Sequence, residues 1–333
     1  MYRLHIYNPE HDIALGKNSS NFTPPKAAVM TRRAYGHYPA FWADDGDWVL
    51  VDDVQHASRM LADETRRHAH VKFVCMKDLS ALTAENMPSE ILPWGWDKLL
   101  VDRLLRCNPL FVNLVPGKEQ LEMIRQMSSR EFAASNILPC LVSCDERLVG
   151  EVQVIRSVEQ LSSACESSDM QNDGIRFVLK SPWSCSGRGV RFVPGDMSES
   201  LMGWCRNVLQ EQGALMQEPY YDNVCDFAME FVSDKQEGTR CLGLNVFTTS
   251  NGAYMENSAF TEAEKWSRLA RYVDPGLLDL VRESVVDITS ELFRGKYAGP
   301  FGVDMMVVRS AEGYRIHPCV ELNLRRTMGH AAL

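Results

Sequence analysis

Two runs near the end of this 333-residue chain carry oxygen-bearing side chains at strand spacing. Phe301-Gly-Val-Asp-Met-Met-Val-Val-Arg309 and Tyr314-Arg-Ile-His-Pro-Cys-Val-Glu-Leu-Asn323 flank the turn Ser310-Ala-Glu-Gly313. In the second run His317, Cys319, Glu321 and Asn323 alternate with Ile316, Pro318, Val320 and Leu322, so the polar set shares one face of a strand. A four-residue turn that sets Arg309 against Tyr314 brings Asp304 opposite Cys319 and diagonal to Glu321. Asp304, Glu321 and Asn323 then converge. Two carboxylates and an amide, with no His or Cys in tetrahedral spacing, suit Mg²⁺, a hard cation that keeps waters and bridges to phosphates. The other use of the same residues is a hydrogen-bonded polar face on an edge hairpin.

A second cluster lies upstream. Lys180 closes a predicted strand over 176–180, and the loop Ser181-Pro-Trp-Ser-Cys-Ser-Gly-Arg-Gly189 leads into a short strand over 190–193. Within it, Ser186, Gly187, Arg188 and Gly189 let backbone N–H groups approach a phosphate, and Lys180 supplies a point charge. An ordinary glycine hairpin has the same composition. Trp183, on that loop, suits either a pocket wall or packing.

Together these pieces resemble the ATP-grasp superfamily over roughly residues 115–330. The matching segments run in family order: a helix ending at Ile137-Leu-Pro139, the strand-end Lys180 with its flap, a hinge at Met216-Gln-Glu-Pro-Tyr220, then Gly302-Val-Asp304 and Glu321-Leu-Asn323-Leu-Arg325. The resemblance implies that Lys180 contacts the α-phosphate and adenine edge, the flap covers the β- and γ-phosphates, and the backbone of Glu218, Pro219 and Tyr220 reads the adenine. It also implies that Asp226 serves the ribose, and that Asp304, Glu321 and Asn323 ligate one or two Mg²⁺ ions. Arg325 and Arg326 would hold an acyl phosphate or substrate carboxylate. Where many members place a second phosphate-contacting lysine, this chain has Ser129-Arg130, which keeps the charge but changes the geometry. The implied activity is ATP- and Mg²⁺-dependent joining of a small-molecule or peptide carboxylate to an amine, with a small-molecule kinase or a silent nucleotide-binding regulator as alternatives.

The elements that must position these residues follow from periodicity. Over 1–115, short strands at 3–7, 48–51 and 71–75 alternate with helices at 26–35, 54–68 and 96–106, which predicts a Rossmann-like parallel sheet with ligand loops beyond the strand C-termini. The loop Asn8-Pro-Glu-His-Asp12 follows the first strand. There Asn8, Glu10, His11 and Asp12 are candidates for acceptor selection, the alternative being a capped turn. Beyond it the reading is α+β: a two-lobed grasp domain with an N-lobe at 116–213, carrying a single helix over 118–136, and a C-lobe at 214–333.

Composition narrows the partners. Lys+Arg 35 against Asp+Glu 44 gives a net charge of -9, so neither a nucleic-acid nor an anionic-membrane binder is expected. The start, MYRLHIYNPEHD, lacks a signal-peptide pattern, and a cytoplasmic protein with ten mostly buried, reduced cysteines is the expectation. P-loop, dinucleotide-binding, zincin and serine-hydrolase motifs do not occur in the sequence.

Overall fold

The computed structural model describes residues 2–161, 177–184, 189–194, 197–250, 253–257 and 260–333. The chain divides into two compact units, Met1–Arg125 and Gln126–Leu333.

In the first unit β1 (Arg3–Ile6), β2 (Trp48–Leu50), β3 (Lys72–Val74) and β4 (Glu90–Pro93) form a parallel sheet of order β3-β2-β1-β4. The α/β expectation holds. The fourth strand was not legible in the sequence because Glu-Ile-Leu-Pro ends on a residue that cannot donate to a ladder. Helix Lys98–Cys107 turns Leu100 and Leu104 onto Leu4, Ile6, Ile91 and Phe111. Asp97 starts that helix by accepting the Leu100 N–H through its side chain at 2.9 Å. The helix expected over 54–68 ends at Ala62.

The second unit contains two antiparallel sheets. β5 (Gln153–Ile155), β6 (Phe177–Lys180), β7 (Val190–Val193) and β8 (Leu215–Pro219) take the order β5-β8-β6-β7. The strand at 215–219, expected in the second lobe, thus pairs into the first sheet. Helix Glu199–Gln212, capped by Ser198 and closed by Gly213 at φ 82°, buries Cys205 and Val208 against Phe177, Leu179 and Leu215.

The other sheet is larger: β9 (Asp222–Asp234), β10 (Gly238–Ser250), β11 (Ala253–Asn257), β12 (Gly299–Ser310) and β13 (Gly313–Asn323), in the order β11-β10-β9-β12-β13. Helix Pro275–Phe293 covers it with the stripe Leu277, Leu278, Val281, Val285, Thr289 and Phe293. Phe293 meets Phe301 edge-on, and Phe301 stacks on Phe231 at 5.2 Å between ring centroids.

The helix expected over 118–136 is two helices, Lys118–Met127 and Arg130–Asn136. Ser129 causes the break. Its Oγ accepts the Phe132 N–H at 3.1 Å, which starts a new helix with Arg130 in its first turn.

Candidate active site

The final hairpin forms as expected from Arg309↔Tyr314 down to Met306↔His317, and then its register shifts. Asp304 pairs directly with Glu321, not with Cys319. Met305 alone spans Pro318, Cys319 and Val320. Pro318 has no N–H to give the ladder, and a bulge there is the physical solution. A two-residue shift preserves the side-chain parity, so the polar face survives.

Side-chain bonds then order the hairpin. The Asn323 amide nitrogen donates to Asp304 Oδ2 at 3.0 Å, and its oxygen accepts from Arg325 Nη2 at 2.9 Å. Arg325 Nη1 also donates to the Arg326 carbonyl at 2.9 Å. Asn323 therefore fixes Asp304 on one side and Arg325 on the other. Glu321 is met by Arg130 Nη2 at 2.8 Å. Among the described residues no basic side chain forms an ion pair with Asp304, whose pKa is pushed up to about 8 by burial, then by the charges of Glu321 and Glu230. Two opposed carboxylates, one of them uncompensated, fit a hard divalent cation. Asp304 and Glu321 offer their oxygens directly, whereas Asn323 turns its nitrogen toward Asp304.

Across a cavity of about 380 Å³, all within the second unit, stands the other expected group. Lys180, 7% exposed at the end of β6, is held by Glu218 Oε2 of β8 at 2.5 Å. Register places Lys180 opposite Met216 and Val178 opposite Glu218. Glu218, whose backbone was the expected contact, thus also contributes its side chain. Pro219 and Tyr220 continue the wall, and Val178, Met305, Met306 and Val320 supply apolar surface. Asp226 lines the cavity and accepts from Asn223 Nδ2 at 2.8 Å. The volume lies in the range of small-molecule and cofactor sites.

Gly189 is buried at the end of the loop after Lys180, while Ser186, Gly187 and Arg188 lie outside the described residues. The Ser181 N–H donates to the Gly189 carbonyl at 2.8 Å. Trp183 is half-buried on the same turn, its N–H donating to Gln212 Oε1 at 3.0 Å. It is not among the residues lining the cavity. Arg326 is half-buried beside Arg325.

Sequence reasoning missed Glu230. It is 1% exposed on β9, in a row that runs Gly243, Glu230, Gly302, Asn323 across four strands. A Cβ at Gly302 would sit 2.7 Å from Glu230 Oε2 and 2.8 Å from Thr327 Cγ2, and one at Gly243 would sit 2.6 Å from Leu333 Cδ2. The two glycines make a trough that receives residues 327–333. Glu230 Oε2 meets His330 Nδ1 at 2.9 Å there, and His330 Nε2 lies 3.1 Å from the Phe231 carbonyl oxygen. The available signal was a lone acid inside the apolar run Phe227-Ala-Met-Glu-Phe-Val232.

In the first unit, the loop after β1 is not a simple capped turn. Asn8 Nδ2 donates to the Gly95 carbonyl at 2.9 Å and to Asp97 Oδ2 at 3.0 Å, and His11 Nδ1 lies 3.2 Å from the same Asp97 oxygen. Glu10 is buried against Arg32, with Arg103 at 3.6 Å. A helix begins at His11, and Asp12 is half-buried in its first turn. The loop therefore joins the ends of β1 and β4, where the strand order reverses. A nearby crevice between Arg32 and Arg103 encloses only about 20 Å³, room for one water.

No family model matches the sequence, and no curated protein matches it by sequence. Solved structures do resemble it over nearly its whole length. A biotin carboxylase from Campylobacter jejuni, solved as a beta-gamma-ATP complex, aligns with a TM-score of 0.56 at 14% identity, covering 99% of this chain and 66% of that one. The biotin carboxylase domain of a Hydrogenobacter thermophilus 2-oxoglutarate carboxylase, solved with MgADP, ADP and bicarbonate, gives 0.54 at 14% identity, covering 99% and 65%. N5-carboxyaminoimidazole synthetase from Staphylococcus aureus, complexed with ADP, gives 0.50 at 13% identity, covering 98% and 71%.

The chain has the ATP-grasp fold.

The cavity lies between the two sheets of the second unit and is lined from both. Eight cysteines fall among the described residues, all free thiols. Cys319, behind the acidic pair, is pushed up to about 12 by burial and then Asp304, so it is no thiolate at neutral pH. Among the described residues no helix is long and apolar enough to cross a membrane.

Proposed function

We propose that the protein is an ATP- and Mg²⁺-dependent ligase that activates a carboxylate as an acyl phosphate, for attack by an amine or similar nucleophile. The observation that carries this reading is one cavity with the buried Lys180–Glu218 pair on one wall and the Asp304–Glu321 pair on the other. Lys180 suits a nucleotide phosphate, and the apolar wall of Val178, Met305, Met306 and Val320 suits a purine. Asp226 is the ribose candidate, with the backbone of Glu218 to Tyr220 at the base edge. Asp304 and Glu321 would hold Mg²⁺, with Asn323 keeping Asp304 in place. When bound, the ion supplies neutralisation of charge on the transferred phosphoryl group.

Arg325, steadied by Asn323 and the Arg326 carbonyl, is the candidate for orienting the carboxylate or acyl phosphate bidentately. Arg326 is its candidate partner. For acceptor choice we propose the loop Asn8–Asp12: Asn8, Glu10 and His11 shape it from inside, and the half-buried Asp12 is the member nearest solvent. Small-molecule carboxylates and amines are the expected substrates, with peptides as an extension.

Product analysis tests the reading. The protein is incubated with ATP, Mg²⁺ and panels of carboxylates and amines, and products are read by mass spectrometry. ADP, free phosphate and a new covalent bond are the expected result. A stable phosphorylated product would make it a kinase, and nucleotide binding without turnover across the panel would make it a regulator.

A further inference from the structure

Arg130 is committed in three directions at once. Its main-chain N–H donates to the Pro182 carbonyl at 3.0 Å. Nη1 donates to the Ser181 carbonyl at 2.7 Å and to Ser184 Oγ at 2.8 Å, while Nη2 reaches Glu321 Oε1 at 2.8 Å. The residue is 7% exposed, so these are not loose surface contacts.

The first three acceptors belong to the turn that opens the glycine loop. The far end of that loop is tied to the same turn, because the Ser181 N–H donates to the Gly189 carbonyl and a Cβ at Gly189 would fall on the hydroxyls of Ser181 and Ser184. Both ends of the loop therefore rest on one arm of the guanidinium. The other arm carries the carboxylate that faces Asp304.

We propose that Arg130 couples the base of the glycine loop to the acidic pair, standing on Glu321 where a divalent cation stands when one is bound. This rests on reading Asp304 and Glu321 as the cation site. A cation and a guanidinium compete for the same carboxylate, and the competition is reciprocal. Whatever occupies Glu321 must loosen the turn at 181–184, and whatever removes Arg130 must strengthen cation binding. Arginine is required because its planar fork serves two acceptors in fixed directions, whereas a lysine ammonium is a point charge that keeps one. Arg130→Lys then separates charge from bridge.

The test uses the full chain without nucleotide. Amide hydrogen exchange at Ser181 is followed in the parent, Glu321→Ala and Arg130→Lys, with amides of helix Glu199–Gln212 as the internal control. Exchange at Ser181 is expected to rise at least tenfold in both variants while the control helix is unchanged. Mn²⁺ binding, read by electron paramagnetic resonance, should tighten at least tenfold in Arg130→Ala, and Mn²⁺ should speed Ser181 exchange in the parent but not in that variant. Unchanged exchange in Glu321→Ala, or Mn²⁺ affinity unchanged or weakened in Arg130→Ala, would overturn the coupling. Both arms omit nucleotide, so a parent that fails to bind MgADP would end the nucleotide reading while leaving this result to be decided separately. Should Arg130→Ala not fold, Arg130→Gln, which likewise removes the positive charge from Glu321, takes its place in the Mn²⁺ arm with the same two outcomes.

Discussion

At the scale of single residues, charge balance distinguishes the members of the site. Lys180 and Glu218 neutralise each other, as do Arg130 and Glu321. Among the described residues Asp304 has only the Asn323 amide as its hydrogen-bond donor, and burial, then the charges of Glu321 and Glu230, raises its pKa. Asp304→Ala and Glu321→Ala are each expected to lower Mg²⁺-dependent ATP turnover at least a hundredfold, Asp304→Ala with the melting temperature retained and Glu321→Ala with a lower one, since it leaves the buried Arg130 without its carboxylate. Asn323→Ala acts through Asp304 and Arg325 and should lose activity as well. Steady-state kinetics alongside thermal denaturation checks both halves, and full turnover in all three variants would move the metal site elsewhere.

A second residue-level consequence concerns His317. Among the described residues neither nitrogen of its buried ring has a hydrogen-bond partner, and burial, then the charge of Lys180, depresses its pKa to about 3. The native state therefore keeps the ring neutral, while the unfolded chain protonates it below its ordinary value near 6.5. Its contribution to stability is present above that value and is lost as pH falls toward 3. Relative to His317→Leu, the parent should lose at most about 1.4 kcal/mol per pH unit over that window. Urea denaturation of both proteins at pH 7, 5 and 4 measures the difference; parallel curves would refute it.

At the scale of elements, the glycine trough explains why Gly302 stands two residues before Asp304 in the final hairpin. The glycine is needed for space, since β9 sends Glu230 and the segment 327–333 sends Thr327 into the volume a side chain would fill. Gly302→Ala should destabilise by about 1–3 kcal/mol through overpacking. Because residues 327–333 follow Arg325 directly, the variant should also disturb the arginine that Asn323 steadies. Adding Glu230→Ala should restore part of the stability, which thermal denaturation of the single and double variants would reveal. Additive losses would mean the two residues do not share that space.

The broken helix at Ser129 belongs to this scale too. Periodicity favoured one helix over 118–136 because the apolar spacing continues through the break. The cap bond from Ser129 Oγ, a local competitor that periodicity does not weigh, places Arg130 in a first turn beside Ser181 and Pro182.

At the scale of the whole molecule, each unit has its own core and its own polar knot. In the first, Glu10 is buried against Arg32, which also pairs with Asp52 at 3.1 Å, and Glu10→Ala should cost about 1.5–3 kcal/mol by removing one charge-assisted bond of a buried group. Calorimetry of the full chain would show it. In the second, MgADP at a hundredfold excess over its Kd should stabilise by about 2.7 kcal/mol, a rise of several degrees in Tm. No shift at millimolar nucleotide would remove the ATP assignment.

The sequence by itself determined the alternation of short strands and helices before residue 115, the grasp-like order of segments after it, and the choice of Lys180, Asp304 and Glu321, which line one cavity. These follow from side-chain period and from local spacing, which the chain carries without reference to its neighbours. Four things were decided only in three dimensions. The bulge at Pro318 set Asp304 opposite Glu321, because ladder register depends on which N–H groups the partner strand can supply. The capture of Arg130 by Glu321 and the entry of Glu230 between two glycines join residues far apart in sequence, and no local pattern encodes such pairings. Asn8 and His11 likewise became interior residues once β4 brought Asp97 beside them, and Glu10 once Arg32 met it, since burial of a polar group is settled by whether a distant partner arrives to satisfy it.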